Sequence, residues 1–226
     1  MCYSIESSLR TSGMSFLSII YLLSSGIPKF QYLGVVLIGW SIMQLAEAFL
    51  WMTDPRKCNS INKWITIIII PIVLIMQPLG SVWGSLFLHS WNENKQFIIN
   101  YSALIILFLL CHRYIFNPLF FTYKLCTTIT PSGHLDWDTK VATNYNYLNL
   151  SYILSILFWG FVILYPLLKF WKGNRLWPFY IIPLFGMIIG FFTDSPGSIW
   201  CHITSYASIT AAVCLFLNNI GIKVLD

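Results

Sequence analysis

Charge is what this chain has least of. Only 9% of its 226 residues are Asp, Glu, Lys or Arg, whereas 57% are hydrophobic; a soluble domain carries roughly a quarter charged residues. That deficit excludes an ordinary soluble protein and points to an integral membrane protein. Histidine is equally sparse, with His89, His112, His134 and His202 as the full set. The six cysteines contain no CxxC pair and no metal-ligand spacing, and Cys111 and Cys214 lie inside apolar runs, so a metal site is not expected. The net charge of +5 comes from 13 basic residues lying mostly in loops. No basic cluster is dense enough for nucleic acid. Small-residue cleavage signals are missing around the run from Met14 to Ile27, so the first apolar segment is expected to be retained. Internal repeats, low-complexity tails, catalytic signatures and cofactor motifs are all lacking.

What is present is apolar length. Seven runs are candidates to cross a bilayer, which takes about 17 to 25 mostly apolar residues. They are Ser12–Ile27, Tyr32–Thr53, Trp64–Leu88, Phe97–Tyr114, Tyr147–Phe170, Pro178–Thr193 and Ser198–Asn218, the first and sixth being short. The predicted fold class is therefore all-α: one domain over residues 1–226, a polytopic bundle of about seven transmembrane helices, with six as the competing count. Aromatics make up 17% of the chain, and Trp51, Trp64, Trp91, Trp171, Trp177 and Trp200 fall near run ends, where amphipathic rings anchor at headgroup level. One connection, Ile115 to Asn146 between the fourth and fifth runs, is long and polar. Alternation at Cys126–Thr130 and a Pro131-Ser132-Gly133 turn signal predict a small hairpin or lid over one end of the bundle.

Parity places Arg10, Arg56, Lys57, Lys63, Arg113, Lys124 and Lys140 on the long-loop side, and Lys29, Lys95, Lys169, Lys172, Arg175 and Lys223 on the other. Short loops weigh more in the positive-inside rule, and discounting the long loop favours a cytoplasmic C-terminus. Cys58 and Cys126 would then share an oxidising face, where a bridge is permitted.

The most informative residue is Glu47, the one formal charge in Tyr32–Thr53. A carboxyl at membrane depth costs several kcal/mol unless it is protonated, paired or hydrated. Trp40, Gln44, Glu47 and Trp51 share one helical face, which should turn inward. At a rise of about 1.5 Å per residue, Glu47 lies roughly 9 Å below the long-loop surface. The last run starts from that surface, and its His202 lies at similar depth beside small and hydroxyl residues suited to close helix contact. Asp194 occupies the preceding turn. In the third run Pro71, Gln77, Pro78 and Gly80 predict a kinked helix, and a broken helix beside a polar group can mark a transport site. The candidate polar pocket is therefore Gln44, Glu47, Gln77, Asp194 and His202, with Glu47 meeting His202. A purely structural interhelical hydrogen bond is the alternative for that pair.

These residues sort the function classes. A retinal protein needs a lysine in the last helix, and none is there; Lys223 lies beyond its end. No DRY-like or NPxxY-like string supports a G-protein-coupled receptor. A zinc-dependent lipid hydrolase needs three ligands, and the last run carries a single histidine. Ion or small-solute permeation fits the intramembrane acid best, with a non-catalytic membrane scaffold and a metal-dependent hydrolase as alternatives. The bilayer is the expected partner.

The strings MQLAEAFLW, NKWITIIIIPIVLIMQPLGS and GSIWCHITS resemble an uncharacterised family of multi-spanning membrane proteins of large DNA viruses of amoebae and algae. That resemblance extends across most of the chain and implies a host-cell or virion membrane. It implies no chemistry.

Overall fold

Residues 4–111, 125–137, 150–170, 177–192, 195–222 and 224 are described by a computed structural model, and they are predominantly helical. Helix α1 spans Ile5–Leu23, earlier than its apolar run, because Ser4 caps it by accepting a bond from the Ser7 amide. Gly26 turns the chain at φ 67°, and Pro28 opens α2, Pro28–Met52, at a position where proline's missing N–H costs nothing. Asn59 caps α3, Ser60–Trp64, and a π-helical turn at Ile65–Ile69 leads into α4, Ile70–Gly84, and a 3-10 turn at Ser85–Phe87. Then come α5 (Trp91–Cys111), α6 (Leu150–Phe170), α7 (Trp177–Phe191) and α8 (Pro196–Asn219).

Proline accounts for the π turn. Pro71 has no N–H to donate back along the helix. The register before it widens, and the Ile70 amide reaches the Ile65 carbonyl. The kink expected in this run thus takes the form of a π turn at its start, with Pro78 inside α4 as a second irregular point.

Among the described residues, four segments are long and apolar enough to cross a membrane: Pro28–Met52, Ser60–Phe87, Trp91–Cys111 and Gly197–Asn219. The burial pattern is the reverse of that in a water-soluble helix. On α1, Ser8, Thr11, Ser12 and Ser15 are buried while Leu9, Met14, Leu17 and Ile20 are exposed, Leu17 by 71%. Leu157, Phe161 and Leu168 on α6 and Ile181, Phe185 and Ile188 on α7 are likewise exposed. Exposed apolar surface on this scale is compatible with an integral membrane protein.

Helix α2 is the centre of the bundle, packing on α1, α4 and α8. Its contact with α4 is backbone to backbone. A Cβ added at Gly80 would stand 2.9 Å from the Val35 carbonyl oxygen, and one at Gly39 would overlap the Met76 carbonyl. Helix α8 returns between α1, α2 and α7, and Ser15 donates to the Ser205 carbonyl at 3.1 Å. At the opposite end from the hairpin, Lys169 places Nζ 3.3 Å above the Phe97 ring. This is the cation–π arrangement of a lysine at an aromatic membrane boundary.

The expected hairpin is present. Strand β1 (Thr128–Ile129) pairs antiparallel with β2 (Leu135–Asp136), and Gly133 supplies the left-handed turn at φ 85°.

Candidate functional site

Glu47 is completely buried, six residues before the C-terminal cap of α2. One partner comes from outside the helical bundle. The indole N–H of Trp137, just past β2, donates to Glu47 Oε1 at 2.9 Å. Trp137 is itself 95% buried, being 5% exposed, and its ring lies on Gly197 in the first turn of α8, where any Cβ would strike the indole. A glycine there leaves a slot for a flat ring. The indole is thus one donor to the acid.

Helix α8 approaches Glu47 through Cys201, whose thiol lies within electrostatic reach of the carboxyl. Gln77 on α4 donates through Nε2 to Cys201 Sγ at 3.5 Å, so α2, α4 and α8 converge at one point. Trp40 and Trp200 pack beside it with ring centroids 6.3 Å apart. Below Glu47 the stripe continues through Gln44, Ser41 and Trp40, all with no exposed surface. Among the described residues, several buried polar atoms along this interior have no hydrogen-bond partner: Trp40 Nε1, Ser41 Oγ, Gln77 Oε1, Ser81 Oγ and Ser198 Oγ.

The segment carrying Trp137 is itself deeply set. Cys126, Thr127, Thr130, His134, Leu135 and Trp137 are all buried, whereas Pro131 and Ser132 at the turn are exposed. A buried knot secures its near end: Asn62 accepts from the Thr127 amide at 2.9 Å and donates to its carbonyl at 3.0 Å. The Thr66 and Thr127 hydroxyls meet at 2.7 Å, with Thr66 also bonded to Asn62. Thr66 lies in the π turn, so the irregularity that Pro71 imposes faces this arm. Cys58 and Cys126 are joined by a disulfide with Cα atoms 5.6 Å apart, the pairing the sequence permitted. At the exposed rim Asp54 and Lys57 form an ion pair at 3.2 Å, and the bond from Lys57 holds the Asp54 carboxyl below its ordinary range.

Of the five expected pocket residues, Gln44, Glu47, Gln77 and His202 are all buried, and Asp194 lies outside the described residues. Gln77 joins Glu47 by way of Cys201. His202 stands one position further around α8, edge-on to Tyr206 at 5.2 Å between centroids and within electrostatic reach of His134. The structure thus gives Glu47 an indole partner and a thiol neighbour. Trp137, Asn62, Thr66 and Thr127 were not anticipated. The only signal for Trp137 was its place after a hairpin, 90 residues from the acid it meets.

Among the described residues, no three His, Cys, Asp or Glu side chains come together as a metal site. No family model, curated protein or solved structure matches this chain.

Proposed function

We propose that this is a seven-span integral membrane protein that passes protons or a small cation through its polar interior, with Glu47 as the ion-binding group. The carrying observation is a fully buried carboxyl in a membrane-length helix, bonded to a neutral indole donor. An acid at membrane depth is the kind of group by which a proton or cation is taken up and released along such a path. The unpartnered hydroxyl, indole and amide groups of α2, α4 and α8 supply donors and acceptors along the interior, as a hydrated proton path requires. Tight contact between α2 and α4 at Gly39 and Gly80 favours a proton or bare cation over a bulky solute.

The lipid-type exposure of α1, α6 and α7 supports counting them as spans beside the four longer segments. Alternation then puts the arm and its disulfide on one face and the end of α8 on the other. Disulfides persist in oxidising compartments, which supports a cytoplasmic C-terminus.

The test is proton flux into liposomes carrying an internal pH dye, measured for the native chain and for Trp137→Ala, which removes the indole from Glu47. Flux in either form that Glu47→Gln abolishes is the expected result. No flux in both, under any gradient or potential, overturns the reading.

A further inference from the structure

The arm that meets Glu47 is fastened covalently, and at one point only among the described residues. Between Leu125 and Trp137 its side chains fill the end of the bundle bounded by the end of α2, by α3 and the π turn, and by the first turn of α8. A surface hairpin would not bury Cys126, Thr127, His134, Leu135 and Trp137. It is a plug, and the acid lies beneath it.

The two sulfurs of its tether are unequally placed. Cys58 sits in an exposed stretch between α2 and α3, whereas Cys126 is 6% exposed. An external thiolate therefore has access at Cys58.

We infer that residues 125–137 are a redox-latched plug, and that reducing the Cys58–Cys126 bond loosens it and opens Glu47 to water. The inference rests on the proposed role of Glu47 only for its use; the plug itself stands on geometry. The chemistry is thiol–disulfide exchange with a dithiol. One thiolate attacks Cys58 Sγ, the S–S bond breaks, and Cys126 leaves as a thiolate that takes up a proton. The second thiol of the reductant then displaces Cys58 from the mixed disulfide. The dithiol ends as a cyclic disulfide, two electrons and two protons having passed to the protein.

After reduction the arm keeps the Asn62–Thr127–Thr66 knot and the Trp137–Glu47 bond, so it is loosened rather than expelled. Loss of a cross-link that closes a span of 68 residues should raise the open fraction by about tenfold or more. The Cys58→Ser/Cys126→Ser double variant should show the same rise without reductant.

The experiment uses the full chain in liposomes. It is treated with dithiothreitol, freed of reductant under inert gas, and exposed to a water-soluble carbodiimide with an amine. Amide formation at Glu47 is counted by mass spectrometry, and alkylation of Cys58 and Cys126 verifies reduction. The expected result is little Glu47 modification in the oxidised protein and a rise of about tenfold on reduction. Verified reduction with unchanged modification overturns the inference, and so does full modification before reduction. A reduced protein that loses its helical circular dichroism also counts against it, since a latch releases one arm and not the bundle. If the double-serine variant fails to fold, reduction of the native chain decides alone. Modification that rises with no proton flux sinks the permeation reading and leaves the plug standing.

Discussion

The bond between Trp137 and Glu47 makes a quantitative prediction. Trp137→Phe removes the N–H that Glu47 Oε1 accepts at 2.9 Å, together with the outer indole atoms that lie on Gly197. A hydrogen bond to a charged group contributes about 1.5–3 kcal/mol, and a buried polar group stripped of its donor costs a similar amount. The smaller ring adds a cavity penalty of its own. A double-mutant cycle with Glu47→Leu separates the two, because the cavity term is common to both backgrounds and the hydrogen bond exists in one. Expected coupling is therefore about 1.5–3 kcal/mol. For a chain of this size that corresponds to roughly 3–12 °C in Tm. The assay is thermal unfolding of the detergent-solubilised protein, followed by circular dichroism at a helix band so that losing a fluorophore does not matter. Costs that add to within about 0.5 kcal/mol would show that indole and carboxyl are neighbours without interacting, and the site would lose its defining contact.

Other changes test the surroundings of that bond. Gly39→Ala should destabilise by about 1–3 kcal/mol, because its Cβ overlaps the Met76 carbonyl; Gly13→Ala, with nothing within 4 Å, should be neutral or slightly stabilising, and melting curves of the pair distinguish packing from helix propensity. Gly197→Ala should displace the Trp137 ring and raise carbodiimide modification of Glu47 while leaving helix content unchanged. Cys58→Ser/Cys126→Ser should lower stability by about 2–4 kcal/mol and abolish the mobility difference between reduced and non-reduced samples on a denaturing gel. Asn62→Leu removes the donor to the Thr127 carbonyl and leaves the Thr127 amide only its bond to Thr66 Oγ1 at 3.0 Å, so hydrogen exchange of the arm should accelerate with the disulfide intact.

The loss of charge, the length of the apolar runs and the inward turn of one polar stripe were all legible from the residues alone. They follow from local physics: lipid excludes charge, a helix repeats every 3.6 residues, and proline removes a donor wherever it stands. That physics fixed the all-α class, the burial of Gln44, Glu47, Gln77 and His202, and the irregular third run. Alternation and a Pro-Ser-Gly turn likewise announced the hairpin. Local rules also misplaced some ends. Helix α1 begins at Ile5, ahead of the expected Ser12, because a serine cap and a buried polar face let the bundle accept about two first turns that hydropathy alone rejects.

Which side chain meets Glu47 was decided only by the tertiary structure. Depth along each helix put His202 level with the acid, but depth fixes one coordinate and rotation about the helix axis another. One residue's step around α8 puts Cys201 within reach of Glu47 as well. The indole that bonds the acid arrives from a hairpin 90 residues away, and no periodicity relates two such positions. The cysteine pair was readable as a possibility, yet the bridge exists because the arm is seated at that end of the bundle. Sequence thus determined which groups must avoid lipid, a property each residue carries by itself. Packing alone determined who faces whom, since that depends on how helices and an intervening arm share one finite space.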